Sequence, residues 1–436
     1  MLFVGTFLGN MLSYFFFVVL SRALTPPDLG AVGSLVSLAT IAAVPGTGIQ
    51  LVAARWVAAP PPESAASPGS AASPGSAASP GSAASPGSAA SPGSAASPGS
   101  AALDAALGAS LRLAAVLSAA ALVLVPGAAY LLRVDVGAAL AVATAAAPIT
   151  LTFAVQGLLQ GRERFGALAT VAALVGITRV SAAVLAAAGD LGPDAVMWLF
   201  TAGWALTLYI AGFLLHRDGG PHLFKAARHA WGSAPSRAIF RQSVTAVLPM
   251  SGLLVLSSLD MLLARHFLPE DLSGGYAIGA VFEKVAFWGP TFLATLYYPR
   301  MARAADRARA IRDALLLTAS VGAVGVLAAF LLGGPLVAVV GGAEYAALAP
   351  LAWLFCTLGV TLALVQVLVY ADLAAGRHRA GAAVWLALAA STAVVAGRHA
   401  SIEQVVTGVL GCLLVVALVS AWLSRIPRRG AGARRG

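Results

Sequence analysis

Twelve stretches of about 20 or more mostly apolar residues, separated by short polar turns, dominate this chain and leave few architectures open to it. They fall at roughly 2–23, 28–58, 103–131, 136–161, 166–189, 194–215, 241–266, 273–299, 309–333, 346–372, 379–397 and 401–425. About 20 helical residues cross a hydrocarbon core about 30 Å thick. Backbone N–H and C=O groups inside that core must pair internally, so only helices and closed barrels span it. These runs are too long and too uniform in Ala, Leu and Val to alternate as barrel strands do. The chain is 59% apolar and 10% charged, against about 25% charged in soluble domains. An all-α polytopic membrane protein with about 12 transmembrane helices follows.

A net charge of +10 raises nucleic acid as a partner, and the placement of the cations removes it. Of 27 Lys and Arg residues, 21 fall in alternate loops and the C-terminal tail, Arg55 among them. Only Arg22, Arg133, Arg265 and Arg398 lie on the other side, and Arg179 and Lys284 sit inside helices. The positive-inside rule then puts both termini in the cytoplasm of a multi-pass protein of the cell (inner/plasma) membrane. The bilayer is the partner this charge serves. The first helix follows Met1 with no basic flank and no small-residue cleavage site, so a removable signal peptide is not expected.

The two cysteines, Cys356 and Cys412, lie mid-helix as small hydrophobes and frame neither a disulfide nor a metal. There is no GxxxxGK phosphate loop, no His and Cys cluster, and no Ser, His and Asp set confined to one loop. The expectation is therefore no cofactor, no enzyme and no ATP-driven pump. Short outer loops leave little room for a membrane glycan polymerase, whose best support is Arg398, His399 and Glu403.

Two internal repeats organise the chain. The visible one is SAASPG, repeated from Ser64 to Ala102 without a charge. So polar and Pro-punctuated a segment buries too little apolar surface to order itself, and residues 60–102 are predicted to form a disordered cytoplasmic loop. The fainter repeat sets LSRALTPPDLG (Leu20–Gly30) over LARHFLPEDLS (Leu263–Ser273), aligning Leu20, Arg22, Pro26, Asp28 and Leu29 with Leu263, Arg265, Pro269, Asp271 and Leu272. Both stretches join the first and second helices of a six-helix set. Because six is even, the two sets share one orientation, and a pseudo-twofold axis along the membrane normal relates them. The expected units are residues 1–59 and 103–216 as one lobe, 217–240 as a cytoplasmic linker, 241–425 as the second lobe, and 426–436 as a basic tail. Thr25, Pro26 and Asp28 also read as an ordinary helix start.

The segment NMLSYFFFVVLSRALTPPDLGAVGSLVSL and the segment LDMLLARHFLPEDLSGGYAIGAVFEKVAFWGPTFLATLYYPRM resemble corresponding segments of bacterial polysaccharide-unit flippases. These belong to the multidrug/oligosaccharidyl-lipid/polysaccharide exporter (MOP) superfamily. Asn10, Arg22, Leu24, Pro26 and Gly30 carry the likeness in the first segment; Asp260, Arg265, Leu268, Gly275, Tyr276, Lys284, Tyr298 and Pro299 carry it in the second. The resemblance implies two six-helix bundles around a cavity that opens alternately to each side. Its implied substrate is an undecaprenyl-diphosphate-linked oligosaccharide for surface polysaccharide, with glycosyltransferases or a polymerase as partners. The chain departs from the pattern in lacking an N-terminal tail and in the inserted repeat.

Charges within the bilayer are expensive and read as functional by default. Arg179 lies midway along the fifth helix, Asp260 near the end of the seventh, and Glu283 and Lys284 inside the eighth. Lys284, Trp288, Thr291 and Thr295 share one helical face, and Glu283 points about 100° away with Tyr276. A diphosphate-linked glycolipid needs cations, which Arg22, Arg55, Arg179, Arg265 and Lys284 offer. Its sugars need aromatic and hydroxyl-binding groups, which Trp288, Tyr276, Tyr14, Gln156 and Gln160 offer. The plain alternative pairs Asp260, Glu283, Lys284 and Arg179 with one another as structural ions. Competing functions are a multidrug exporter, for which an acid-dominated cavity is expected, a lipid II flippase, and the polymerase. Pro45-Gly46, Pro148, Pro249 and Gly289-Pro290 are expected to interrupt helices at depth.

Overall fold

The structure is a computed structural model and describes residues 2–58, 98–217, 231–290, 296–298, 300–301, 303, 305–375 and 379–425. Among them there is no β-strand, and twelve helices of 19 to 35 residues account for most of the described residues. In order they are α1 (Leu2–Leu20), α2 (Pro26–Ala58), α3 (Pro98–Leu132), α4 (Val136–Gly161), α5 (Phe165–Ala188) and α6 (Pro193–Arg217). The second set is α7 (Ala234–Phe267), α8 (Glu270–Trp288), α9 (Arg307–Leu331), α10 (Ala352–Ala374), α11 (Arg379–Gly397) and α12 (Ile402–Arg425). A short helix, Gly333–Val340, and a 3-10 segment, Ala343–Leu351, link α9 to α10. Nine of the described helical segments are long and apolar enough to cross a membrane. The long helices outside that set are α1, α7 and α8, and the last two carry Asp260, Arg265, Glu283 and Lys284.

The pairing of helices displays the internal repeat. In the first half α1 packs on α5, α2 on α4, α3 on α4, α4 on α6 and α5 on α6. In the second, α7 packs on α11, α8 on α10, α9 on α10, α10 on α12 and α11 on α12. Each pairing recurs six helices later, as two bundles of one design require. A continuous core joins them, with Leu29, Val32 and Leu35 of α2 buried together with Met261 of α7 and Tyr276 of α8. Close backbone approach is made by small residues where packing rather than hydrophobicity holds helices together. A Cβ at Gly157 of α4, for example, would strike the backbone of Gln50 in α2.

The two halves meet unequally. Helix α2 packs broadly on α7 and α8, and α3 on α7, whereas the equivalent contact of α8 with α1 is slight.

Several boundaries differ from the sequence reading. Helix α3 begins at Pro98, inside the last SAASPG copy, so residues 98–102 are helical rather than disordered. Proline is well placed in a first helical turn, and SAALDAAL continues as good helix former. The rest of the repeat lies outside the described residues. Removing residues 64–97 is expected to leave transport and membrane abundance at wild-type levels, as measured by complementation and immunoblotting. Helix α7 starts at Ala234, within the expected linker, because Ser233 accepts the Ser236 N–H and caps it. Helix α8 ends at Trp288 instead of running to 299, since Gly289-Pro290 terminates it. Pro45, Pro148 and Pro249 do not break their helices, which run on through them. Thr291, Thr295 and the basic tail lie outside the described residues.

Candidate functional site

Between the halves lies a cavity of about 370 Å³ walled by α1, α2 and α4–α8. Its surface is mostly aliphatic and aromatic. Several of its serines and threonines donate to their own helices: Ser13 to Gly9 O at 2.8 Å, Thr40 to Val36 O at 2.9 Å and Ser257 to Leu254 O at 2.9 Å. Their oxygens thereby remain available as acceptors. Two charged residues stand on the described wall, Arg179 and Lys284, and their surroundings differ in kind.

Arg179 projects from α5 into an aromatic box. Its guanidinium carbon lies 5.3 Å from the Phe200 ring centroid and 5.7 Å from that of Trp204. Phe200 and Trp204 are one turn apart on α6, and their rings pack edge to face with centroids 6.4 Å apart. Close α1–α5 packing sets this corner: a Cβ at Gly176 would strike Gly9, and a Cβ at Gly9 would strike Ala172. Among the described residues Arg179 has no carboxylate within ion-pair distance, and its Nε and the Trp204 Nε1 are buried donors with no protein acceptor. Cation–π contact offsets part of the desolvation of a guanidinium, but leaves its Nε–H without an acceptor among the described residues.

Lys284 is the opposite case. Its ammonium donates to Glu283 Oε1 at 3.0 Å and to the Ser257 carbonyl, and stands 3.8 Å from Asp260 Oδ1. Asp260 also accepts the Tyr276 hydroxyl at 3.1 Å. Asp260 and Glu283 are fully buried, and the Lys284 side chain keeps 20% of its surface toward the cavity. One ammonium thus serves two carboxylates, and among the described residues Glu283 Oε2 has no hydrogen-bond donor. Tyr14 of α1 donates to the Lys284 carbonyl at 3.2 Å, bridging the thin α1–α8 contact.

Of the residues singled out from sequence, Tyr14, Arg179, Lys284 and Trp288 stand on the cavity wall, with Lys284 and Trp288 one turn apart on α8 as the helical period requires. Asp260, Glu283 and Tyr276 sit behind it and meet the cavity only through Lys284. Four others are elsewhere. Arg22 and Arg265 bind backbone carbonyls at the end of the bundle that carries the α1–α2 and α7–α8 turns. Arg55 is exposed near the far end of α2. Gln156 is not on the wall, because the stripe it belongs to runs along α2, where Gln160 Oε1 lies 3.5 Å from Gln50 Nε2. Phe200 and Trp204 were not anticipated. Their signal was an aromatic pair spaced by four on a helix next to a lone mid-membrane arginine.

No family profile and no curated protein matches this sequence. Solved structures do. An inward-facing multidrug resistance MATE family transporter of the MOP superfamily superposes with a TM-score of 0.72 at 13% identity, covering 96% of this chain and 94% of that one. The chain shares the fold of that transporter. The lipid II flippase MurJ in an inward closed conformation gives 0.67 at 11% identity, covering 98% and 87% of the two chains. An outward-facing MATE transporter gives 0.58 at 14% identity, with 97% and 93% covered. The shared fold places a MOP-like two-bundle architecture around the cavity just described.

Proposed function

We propose that the protein is a cell-membrane flippase that moves an undecaprenyl-diphosphate-linked oligosaccharide outward by alternating access, for assembly of a surface polysaccharide. The observation that carries this reading is Arg179, a cation on the cavity wall with no carboxylate partner among the described residues, lying against the Phe200 and Trp204 rings. An unpaired guanidinium inside a membrane is costly, and it is the group that binds phosphate oxygens in a bidentate manner. Lys284, on the facing half, is already balanced by Asp260 and Glu283 and offers hydrogen-bond donors rather than net charge. Trp288, Trp204 and Tyr14 offer faces and polar edges for sugar rings, and the backbonded hydroxyls accept hydrogen bonds from sugar OH groups. The slight α1–α8 contact is the side from which an apolar tail reaches lipid. Both termini and the repeat-bearing loop face the cytoplasm in this reading, and the α1–α2 and α7–α8 turns face outward. Glycosyltransferases that build the unit and a polymerase that extends it are the expected partners. Deleting the gene is expected to accumulate lipid-linked oligosaccharide on the cytoplasmic face and to deplete surface glycan. Normal lipid-linked pools with intact surface glycan would refute the proposal, and unpolymerised units gathering on the outer face would assign the chain to polymerisation.

A further inference from the structure

The two turns that carry the faint internal repeat meet at one end of the molecule, and each sends its arginine across the seam. Arg265, only 2% exposed, donates from Nε to Leu132 O at 2.8 Å, from Nη2 to Arg133 O at 2.8 Å and from Nη1 to Pro27 O at 3.0 Å. All three carbonyls belong to the first half, two of them at the end of its third helix. Arg22, the residue aligned with Arg265, donates from Nη2 to Val339 O at 2.8 Å and Ala338 O at 3.4 Å, and Ser21 donates to Val340 O at 2.8 Å. Those carbonyls close the short helix that follows α9, the third helix of the second half. Arg133 answers Arg265 by donating to the carbonyls of Arg265, His266 and Leu268 at 2.5, 3.0 and 2.6 Å. Beneath these bonds α2 and α8 touch through backbone: a Cβ at Gly30 would strike Ser273 and Gly274, and a Cβ at Gly274 would strike Pro26.

We propose that Arg22 and Arg265 are the two halves of a reciprocal gate that holds this face shut, each releasing when the bundles rock apart. The last carbonyls of a helix have no partner within it and carry its negative dipole end, so a guanidinium is the fitting cap. At this end of the bundle, water can replace the arginine when the face opens. The same bonds placed in hydrocarbon would leave orphaned groups. Arg265 is the stronger half, being buried with three cross-seam acceptors, and a lysine there has no planar fork with which to serve them together. The gate requires only the two-bundle fold and holds whatever the substrate or the membrane orientation.

The test is a spin-label distance across the gate in the full-length protein in lipid nanodiscs. Labels are placed at Gly192→Cys and Ala400→Cys, exposed positions in the α5–α6 and α11–α12 turns, with Cys356→Ala and Cys412→Ala as background. Arg265→Ala, Arg265→Lys and Arg22→Ala are each expected to enlarge the long-distance population, by about tenfold in the open-to-closed ratio for the Arg265 variants, equivalent to about 1.4 kcal/mol, and by less for Arg22→Ala. Arg265→Lys keeps charge and bulk, so the test stands if Arg265→Ala does not fold. Arg398→Ala, on the same face and without a side-chain hydrogen bond among the described residues, is expected to leave the distances unchanged. Unchanged distances in the Arg265 variants, a shift there with none in Arg22→Ala, or an equal shift in Arg398→Ala would each overturn the gate.

Discussion

Arg179→Ala is expected to abolish translocation while leaving the protein as stable as wild type or more so. The two halves of that expectation come from one fact, the absence of a counter-ion in a buried aromatic site. Removing a charge-assisted contact to a bound phosphate costs about 1.5–3 kcal/mol, or roughly ten- to a hundredfold in affinity. Removing an unpaired guanidinium also removes its desolvation penalty, so the empty protein loses little. Arg179→Lys restores the charge without the fork and is expected to recover only part of the activity. Binding of the glycolipid to purified variants, measured beside their thermal midpoints, checks both. A fall in stability that matches the fall in binding would make Arg179 a structural residue.

Lys284→Ala is expected to behave in the opposite way. Its ammonium sits between two buried carboxylates, and breaking a buried pair by removing one partner typically costs about 3–5 kcal/mol, because the remaining charge is left uncompensated. The variant should therefore unfold at a markedly lower temperature as well as lose transport. Neutralising the whole group, with Lys284→Met, Asp260→Asn and Glu283→Gln together, is expected to restore most of the thermal midpoint. Transport should stay low, because the cavity wall has lost the Lys284 ammonium donors. Recovery of transport along with stability would restrict Lys284 to a structural role.

How far the sequence could be read follows from which forces set each feature. Helix positions were readable because lipid demands internal backbone pairing, and the spans at 136–161 and 379–397 coincide with α4 and α11. The face shared by Lys284 and Trp288 was readable because helical periodicity alone places it. Arg265 was not, since both a lipid-facing arginine and a cavity arginine look the same in one dimension. Its acceptors, Leu132, Arg133 and Pro27, become its neighbours only when the two bundles dock. Gln156 misled for a related reason. A polar stripe on a helix satisfies a neighbouring helix as readily as a ligand, and α2 takes that face. The proline breaks were overstated because a helix packed by small residues, as α2 is at Gly46 against Phe153, carries a proline without ending.

The division of charge between the halves is the feature on which substrate class turns. An exporter of cationic compounds would be served by the carboxylates of Asp260 and Glu283, but both lie behind Lys284 and are occupied by it. The first half offers a cation with open donors and no acid beside it. An anionic amphiphile therefore meets an uncompensated cation on the first-half wall, whereas a cation must displace Lys284 to reach the carboxylates of the second.

The most direct measurement places the purified protein in liposomes loaded in turn with undecaprenyl diphosphate carrying a short oligosaccharide and with a lipophilic cationic dye. The prediction is accelerated transbilayer movement of the glycolipid by the wild type, its loss in Arg179→Ala, and no movement of the dye. Movement of the dye without movement of the glycolipid would contradict the proposed function.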